Sequence, residues 1–422
     1  MNQRPEGLSA YIAVTASYWA FMLTDGALRM LVLLHFHTLG FTPVQLAYLF
    51  VLYEIAGMVT NLSAGWIAAR FGLTSTLYAG LGLQVVALIA LAQLDAEWAI
   101  GLSVAFVMVV QGASGVAKDL AKMSSKSAVK ILAPTARGGL FRWVAILTGS
   151  KNAVKGLGFL LGAALLPTVG FVWAVLAMAG VLAAILVAVL IAMPPGLSKG
   201  RKGAKFSEVF SKSANVNWLS AARVFLFGAR DVWFVVGIPI YFYAVLSDGT
   251  EEGNRVAFFM IGTFMALWII LYGTVQASAP KLLRAARTPE RDLVGKARSW
   301  AWMLAAIPAL LTAAALVSAR PQPWLTATLV VGLLIFGAVF AVNSALHSYL
   351  ILAFTKAERV TMDVGFYYMA NAGGRLLGTV LSGLTYQVGG LALMLGTATV
   401  MVALSALASG RLSPEHPEAT PA

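Results

Sequence analysis

Long apolar stretches, one after another, constrain this chain more than any other feature. A helix needs roughly 20 apolar residues to cross a bilayer, and about a dozen such runs follow one another here. Of the 422 residues, 59% are hydrophobic and 11% charged, a balance that no ordinary soluble domain of this length shows. The short alternating strands of a membrane barrel are not seen. The first run is too long for a cleavable signal and carries no small-residue cleavage site, so it is expected to remain as a span.

The expected fold is therefore all-α and integral to the membrane, with twelve transmembrane helices. Six are read at Leu8–Leu39, Pro43–Arg70, Leu73–Leu94, Trp98–Ala121, Gly139–Thr168 and Gly170–Met193. The longest polar break, Pro194–Ser213, holds Lys199, Arg201, Lys202, Lys205 and Lys212. Six more follow at Ala214–Leu246, Arg255–Ala279, Ser299–Ser318, Pro323–Phe354, Met362–Val388 and Gly390–Gly410. This divides the chain into an N-terminal six-helix bundle (1–193), a basic linker (194–213), a C-terminal six-helix bundle (214–410) and a tail (411–422).

The net charge of +13 could point to nucleic acid, but its distribution points to a membrane instead. Alternate loops collect Lys122, Lys126, Lys130 and Arg137, then the linker, then Lys281, Arg284, Arg287, Arg291, Lys296, Arg298, Lys356 and Arg359. The opposite loops hold Asp95, Glu97, Asp248, Glu251 and Glu252 against Arg255 and Arg320. Cationic loops are retained in the cytoplasm, so both termini and the linker are expected there, in a bacterial inner membrane.

There is no cysteine, which excludes disulfides and thiolate metal sites. His35, His37, His347 and His416 show no metal-ligand spacing, and no cofactor is expected. A phosphate-binding G-x-x-x-x-G-K-[ST] segment and a nucleophile constellation are both lacking, which argues against an ATP-driven pump and against an enzyme.

Ionisable residues inside the spans carry the functional signal. A charge near the bilayer centre costs about 2.5–3.5 kcal/mol on insertion scales. Asp25 and Arg29 stand four apart in span 1, about 6 Å along the axis and on one face. They read as an intrahelical ion pair, or as Arg29 meeting an anion or Glu54 while Asp25 offsets Lys151 or Lys155. Lys151 and Lys155 share a face of span 5, and read as anion ligands or as partners of Asp25, Glu54 or Asp231.

In span 7, adjacent Arg230 and Asp231 are expected about 100° apart rather than in contact. Arg230 could clamp an oxyanion with its planar fork. Arg223 lies nearer the cytoplasm, where snorkelling is the simpler account. Span 11 adds Asn371 and Arg375 as candidate substrate ligands, and span 10 adds Asn343 and His347; buried amides more often bond neighbouring helices. Lys118, Lys122, Lys126 and Lys130 recur every fourth residue, a solvated face from Lys122 onward, with Lys118 beside Asp119 open to either reading.

Deep bases (Arg29, Lys151, Lys155, Arg230, Arg375) outnumber deep acids (Asp25, Glu54, Asp231). Uncompensated positive charge in low dielectric calls for an anion, so a small anionic substrate is expected. The three acids are the candidates for proton coupling or counter-charge.

Two six-span groups joined by a basic linker resemble the major facilitator superfamily. GWIAARFGLT at the end of span 2 is similar to that superfamily's motif between spans 2 and 3, with Gly65, Arg70 and Gly72 matching. Ala69 stands at the acidic position, and Leu73 and Thr74 at the basic pair, so a short cytoplasmic gate held by Arg70 and helix ends is expected instead. Spans 3, 6, 9 and 12 carry no interior charge, as lipid exposure of every third span would impose. Placing Asp25 over Asp231 also aligns Phe21 with Phe227 and Phe36 with Phe242.

YWAFMLTDGALRMLVLLHFHTLGF, YEIAGMVTNLSAGWIAARFGL, GVAKDLAKMSSKSAVKIL, FRWVAILTGSKNAVKGLGF and FSKSANVNWLSAARVFLFGARDVWFVV resemble the organoarsenical efflux permeases, the ArsJ family. The likeness covers most of the first half and the start of the second, fading after about Ala279. It implies export of 1-arseno-3-phosphoglycerate, made from arsenate by glyceraldehyde-3-phosphate dehydrogenase, and hence arsenate resistance by a monomeric secondary transporter. A basic cavity suits this phosphorylated organoarsenical, but any sugar phosphate or carboxylate would suit it too. An organophosphate or carboxylate exchanger, a proton-coupled drug antiporter and an anion channel are the alternatives; a cationic-drug exporter would want excess acid.

Overall fold

The structure, a computed structural model, describes residues 8–95, 97–132, 139–192, 211, 213–283, 289–318, 321–355 and 360–413. Within these, the side chains of 8–11, 64–65, 68–70, 73, 126–132, 139–149, 192, 290 and 360–361 are excepted.

The first half comprises α1 (Leu8–Thr38), α2 (Pro43–Tyr48), α3 (Val51–Phe71), α4 (Leu73–Leu91), α5 (Ile100–Leu132), α6 (Gly139–Val169) and α7 (Phe171–Ala192). The second comprises α8 (Ala214–Phe234), α9 (Gly237–Leu246), α10 (Glu251–Leu282), α11 (Glu290–Val317), α12 (Pro323–Ala353) and α13 (Val360–Ser409).

Eleven helical stretches are long and apolar enough to cross a membrane. The last, Met362–Ser409, has 48 residues, about 72 Å of helix at 1.5 Å per residue and far more than one bilayer core. It is broken at Gly389 (φ −139°) and Gly390 (φ 58°), the second a left-handed value suited to glycine. The break leaves an apolar helix on each side, 362–388 and 391–409, where spans 11 and 12 are expected from the sequence. Span 4 exceeds its expected end: α5 runs on to Leu132 because nothing in 122–132 breaks a helix, charged though it is.

Span 2 is interrupted at 49–50, between α2 and α3, and span 7 at 235–236, between α8 and α9. Thr42 caps α2 by accepting from the Gln45 amide at 3.3 Å, and Gln45 returns the bond to the Thr42 amide at 2.9 Å. Between α8 and α9, Pro239 has no N–H for the Val235 carbonyl and its ring crowds that turn. The amides freed at Val236 and Gly237 both donate to Ser382 Oγ at 3.2 Å. In a membrane such repair is obligatory.

Spans 1 and 7 are the most enclosed, 78% and 83% buried in their most apolar windows, against 33% and 28% for spans 6 and 9. Leu190 and Ile191 of α7 and Leu316 and Val317 of α11 are exposed, as lipid-facing positions should be. Each half closes its centre in the same way. Gly158 and Gly162 of α6 lie directly on the α1 backbone, and Gly374 and Gly378 of α13 lie on that of α8, where any Cβ would overlap main-chain atoms. The halves meet where α6 packs on α10 and where α13 packs on α2 and α3.

Candidate functional site

The close glycine contacts draw α1 and α6, and likewise α8 and α13, near enough for short polar side chains to bond across them. Asp25, 3% exposed, accepts from Lys155 Nζ at 2.7 Å and from the Tyr53 hydroxyl at 2.6 Å. Arg29 Nη2 donates to Glu54 Oε1 at 3.0 Å. Asp25 and Arg29 therefore do not form the intrahelical pair. Tyr53 and Glu54 are adjacent on α3 and diverge around the helix, so each takes one member of the α1 pair.

Glu54 Oε1 also accepts from Arg375 Nη2 at 2.5 Å, across the boundary between the halves. Arg375 Nε in turn faces Asp231 Oδ2 at 3.6 Å. Asp231 Oδ1 accepts from Arg230 Nε at 2.6 Å and Nη2 at 2.5 Å. The expectation that Arg230 and Asp231 point apart is overturned. Their Cβ vectors diverge, but the long arginine stem folds back until its guanidinium reaches the carboxylate that is buried beside it. Arg29, Glu54, Arg375, Asp231 and Arg230 thus alternate in charge from one half into the other.

Several bases stand outside that chain. Lys118, 7% exposed, sets its ammonium 4.0 Å from the Tyr53 ring centroid; its neighbour Asp119 pairs with Lys122 instead. An ammonium held on an aromatic face is a cation held without a carboxylate. Lys151 is half-buried on α6, one turn before Lys155. Arg223 is 4% exposed, so it does not snorkel: Asn371 Oδ1 accepts from its Nε at 2.8 Å, and Ser344 from its Nη1. Asn371 thereby bonds a neighbouring helix, whereas Asn343 Nδ2 donates to Val339 of its own helix at 3.3 Å. His347 is fully buried.

Among the described buried and half-buried side chains around these residues, seven bases (Arg29, Lys118, Lys151, Lys155, Arg223, Arg230, Arg375) stand against four acids (Asp25, Glu54, Asp119, Asp231), and Asp119 is engaged by Lys122. Lys118 and Arg223 are the two that sequence reasoning undervalued. Tyr53 beside Glu54, and the polar Asn371 one turn before Arg375, were the signals that could have found them. Such a set can hold an oxyanion, because it supplies planar and point-charge donors in excess of internal acceptors.

At the end of the molecule carrying the loop between spans 2 and 3, Gly72 is buried with φ 81°, a left-handed turn that explains the motif glycine. The side chains of Gly65 and Arg70, the rest of the expected gate, lie outside the described residues, as do those of Lys126 and Lys130. The acid missing at Ala69 has a counterpart on span 4. Asp119 accepts from Thr60 at 2.8 Å, Asn61 at 3.1 Å and Lys122 at 3.0 Å. Lys122 also donates to Asn61 Oδ1 at 2.6 Å and lies 5.5 Å from the Tyr368 ring of the other half. Lys122 is thus a bonded residue rather than part of a solvated face.

No protein-family model matches the sequence, and no curated protein matches it. Solved structures match in shape. A POT family transporter in complex with 5-aminolevulinic acid superposes with a TM-score of 0.72 at 15% identity, over 96% of this chain and 95% of that one. A point mutant of the nucleoside transporter NupG superposes with a TM-score of 0.67 at 14% identity, over 96% and 98%. At such identities the likeness establishes the fold alone, one that this chain shares with those two transporters.

Proposed function

We propose that the chain is a secondary active transporter that exports an organic anion by alternating access, from the cytoplasm across a bacterial inner membrane. One observation carries the reading: buried bases from both halves converge on too few acids, and Glu54 is shared between Arg29 of one half and Arg375 of the other. An arriving oxyanion competes with Glu54 for both arginines and with Asp25 for Lys155. Once Glu54 is displaced, the link between the halves is carried by the substrate, and the halves can rock about it. On release, the carboxylates return as internal counter-ions, so the empty site is not left as uncompensated buried charge. Asp25, Glu54 and Asp231 hold the counter-charge or coupling role, and Arg29, Lys151, Lys155, Arg230, Arg375 and Asn371 the ligand role.

The substrate named by the sequence resemblance is 1-arseno-3-phosphoglycerate, a multiply charged oxyanion that needs no thiolate for capture. Everted vesicles test it. Uptake is expected only when arsenate and glyceraldehyde-3-phosphate dehydrogenase generate the adduct. Equal uptake of 3-phosphoglycerate overturns that specificity in favour of an organophosphate exchanger, and unsaturable flux overturns the carrier reading altogether.

A further inference from the structure

Arg223 is a buried guanidinium whose bonding partners are all neutral. Among the described residues its Nε and Nη1 serve Asn371 and Ser344, and its charged carbon lies 3.9 Å from the Phe227 centroid and 5.0 Å from that of Tyr367. Arg223 Nη1 at 3.1 Å and Gln276 Nε2 at 3.2 Å both donate to Ser344 Oγ and fill its two lone pairs, while the Tyr272 hydroxyl lies 3.3 Å away, where the Ser344 hydroxyl can donate to it. His347 is 0% exposed beside this charge, and neither ring nitrogen has a protein partner. A neutral imidazole carries one N–H, so an unused donor is present.

The nest adjoins the central charges. The Phe227 ring meets both Arg223 and Arg230, whose charged carbons are 3.9 and 4.9 Å from its centroid and hence no farther apart than about 8.8 Å, the sum of those distances. On α13, Asn371 holds Arg223 one turn from Arg375, which holds Glu54.

We propose that Arg223, with His347 and Gln276, forms a second oxyanion subsite that takes the far end of a short dianion whose near end lies at Arg230 and Arg375. The ligand class is an acyclic molecule with two oxyanion groups a few bonds apart. The inference rests on the anion-transport reading and narrows it from any anion to two-ended ones.

Equilibrium binding to the detergent-solubilised full chain tests it, with 3-phosphoglycerate as the two-ended probe and inorganic phosphate as the one-ended probe. Wild type is expected to bind the former at least about tenfold more tightly, the worth of one charge-assisted contact. Arg223→Gln is expected to bring that ratio to about one, and His347→Gln to lower it part of the way, which keeps the test alive should the arginine variant not fold. Arg230→Gln is expected to weaken both probes. A ratio unchanged in Arg223→Gln and His347→Gln, or a wild-type ratio near one, overturns the second subsite and leaves anion transport standing. Binding of neither probe by folded wild type overturns this inference, while the anion reading stands or falls on the vesicle uptake of the adduct.

Discussion

Glu54 of α3 and Arg375 of α13 meet at 2.5 Å, 321 residues apart in sequence and on opposite sides of the boundary between the halves. Glu54 is fully buried and also holds Arg29, so a single carboxylate oxygen accepts from two guanidinium groups. Removing one partner of a buried pair leaves uncompensated charge, which makes the two ends of this contact unequal.

Glu54→Gln strands Arg29 and leaves Arg375 only the longer contact to Asp231 at 3.6 Å, whereas Arg375→Gln leaves Glu54 with Arg29 and Asp231 with Arg230. The glutamine at 54 is expected to destabilise by about 3–5 kcal/mol and the one at 375 by less. Thermal unfolding of the solubilised protein, ranked between the two variants, decides this; equal losses would mean that Glu54 does not serve both arginines.

Pairing partners on α1 are testable by charge exchange. Asp25→Lys with Lys155→Asp is expected to recover most of the stability lost in either single variant, because the two groups face each other at 2.7 Å. Asp25→Arg with Arg29→Asp is expected to show no such recovery. The reverse ranking in a double-mutant cycle would restore the intrahelical pair.

Close helix contact in the first half predicts a steric effect. Gly162→Val drives a side chain into the α1 backbone and is expected to cost about 1–3 kcal/mol or more. Gly180→Ala, where a Cβ meets nothing within 4 Å, is expected to be neutral. Melting temperatures of the two variants check the contrast.

The Asp119 cluster predicts a latch between halves. A Cβ at Gly365 would lie 3.6 Å from the Asn61 carbonyl oxygen, so Asn61→Cys with Gly365→Cys places two thiols near each other in a chain with no other cysteine. Cross-linking yield is expected to fall when Asp119→Asn is added, since Lys122 and Thr60 lose the carboxylate they share. An unchanged yield would remove the latch role from Asp119.

Outside the membrane, hydrogen bonds from the Thr250 side chain and then its amide hold the Asp248 carboxyl below the usual carboxylate range. A depressed folded value means that this bonding stabilises the turn before α10 above the unfolded pKa of about 3.9 and is lost as pH falls through the folded one. Protection of the Thr250 amide in hydrogen exchange is expected to persist at pH 4 and fail only in stronger acid, and Asp248→Asn to abolish that dependence.

The membrane class, the crossings and the positions of the deep charges were legible in the residues, because the cost of putting charge or broken backbone into hydrocarbon depends on local composition. Helix ends were less so: charged 122–132 reads as loop by polarity but continues α5, since lysine and serine do not break helices. Asn371 was legible as a buried amide, yet its partner was not. Arg223 illustrates the limit most sharply. Its depth in the sequence suggested snorkelling, while Asn371, Ser344, Phe227 and Tyr367, from three helices, enclose it.

The sequence by itself determined that this chain spans a membrane many times with an excess of base in its interior, for both follow from transfer free energies that sum along the chain. Only the tertiary structure decided that Asp25 belongs to Lys155, Arg29 to Glu54, and Glu54 also to Arg375. Those choices depend on glycine-mediated helix approach and on side-chain reach between segments 25, 130 and 321 residues apart, and spacing along one helix carries no record of either.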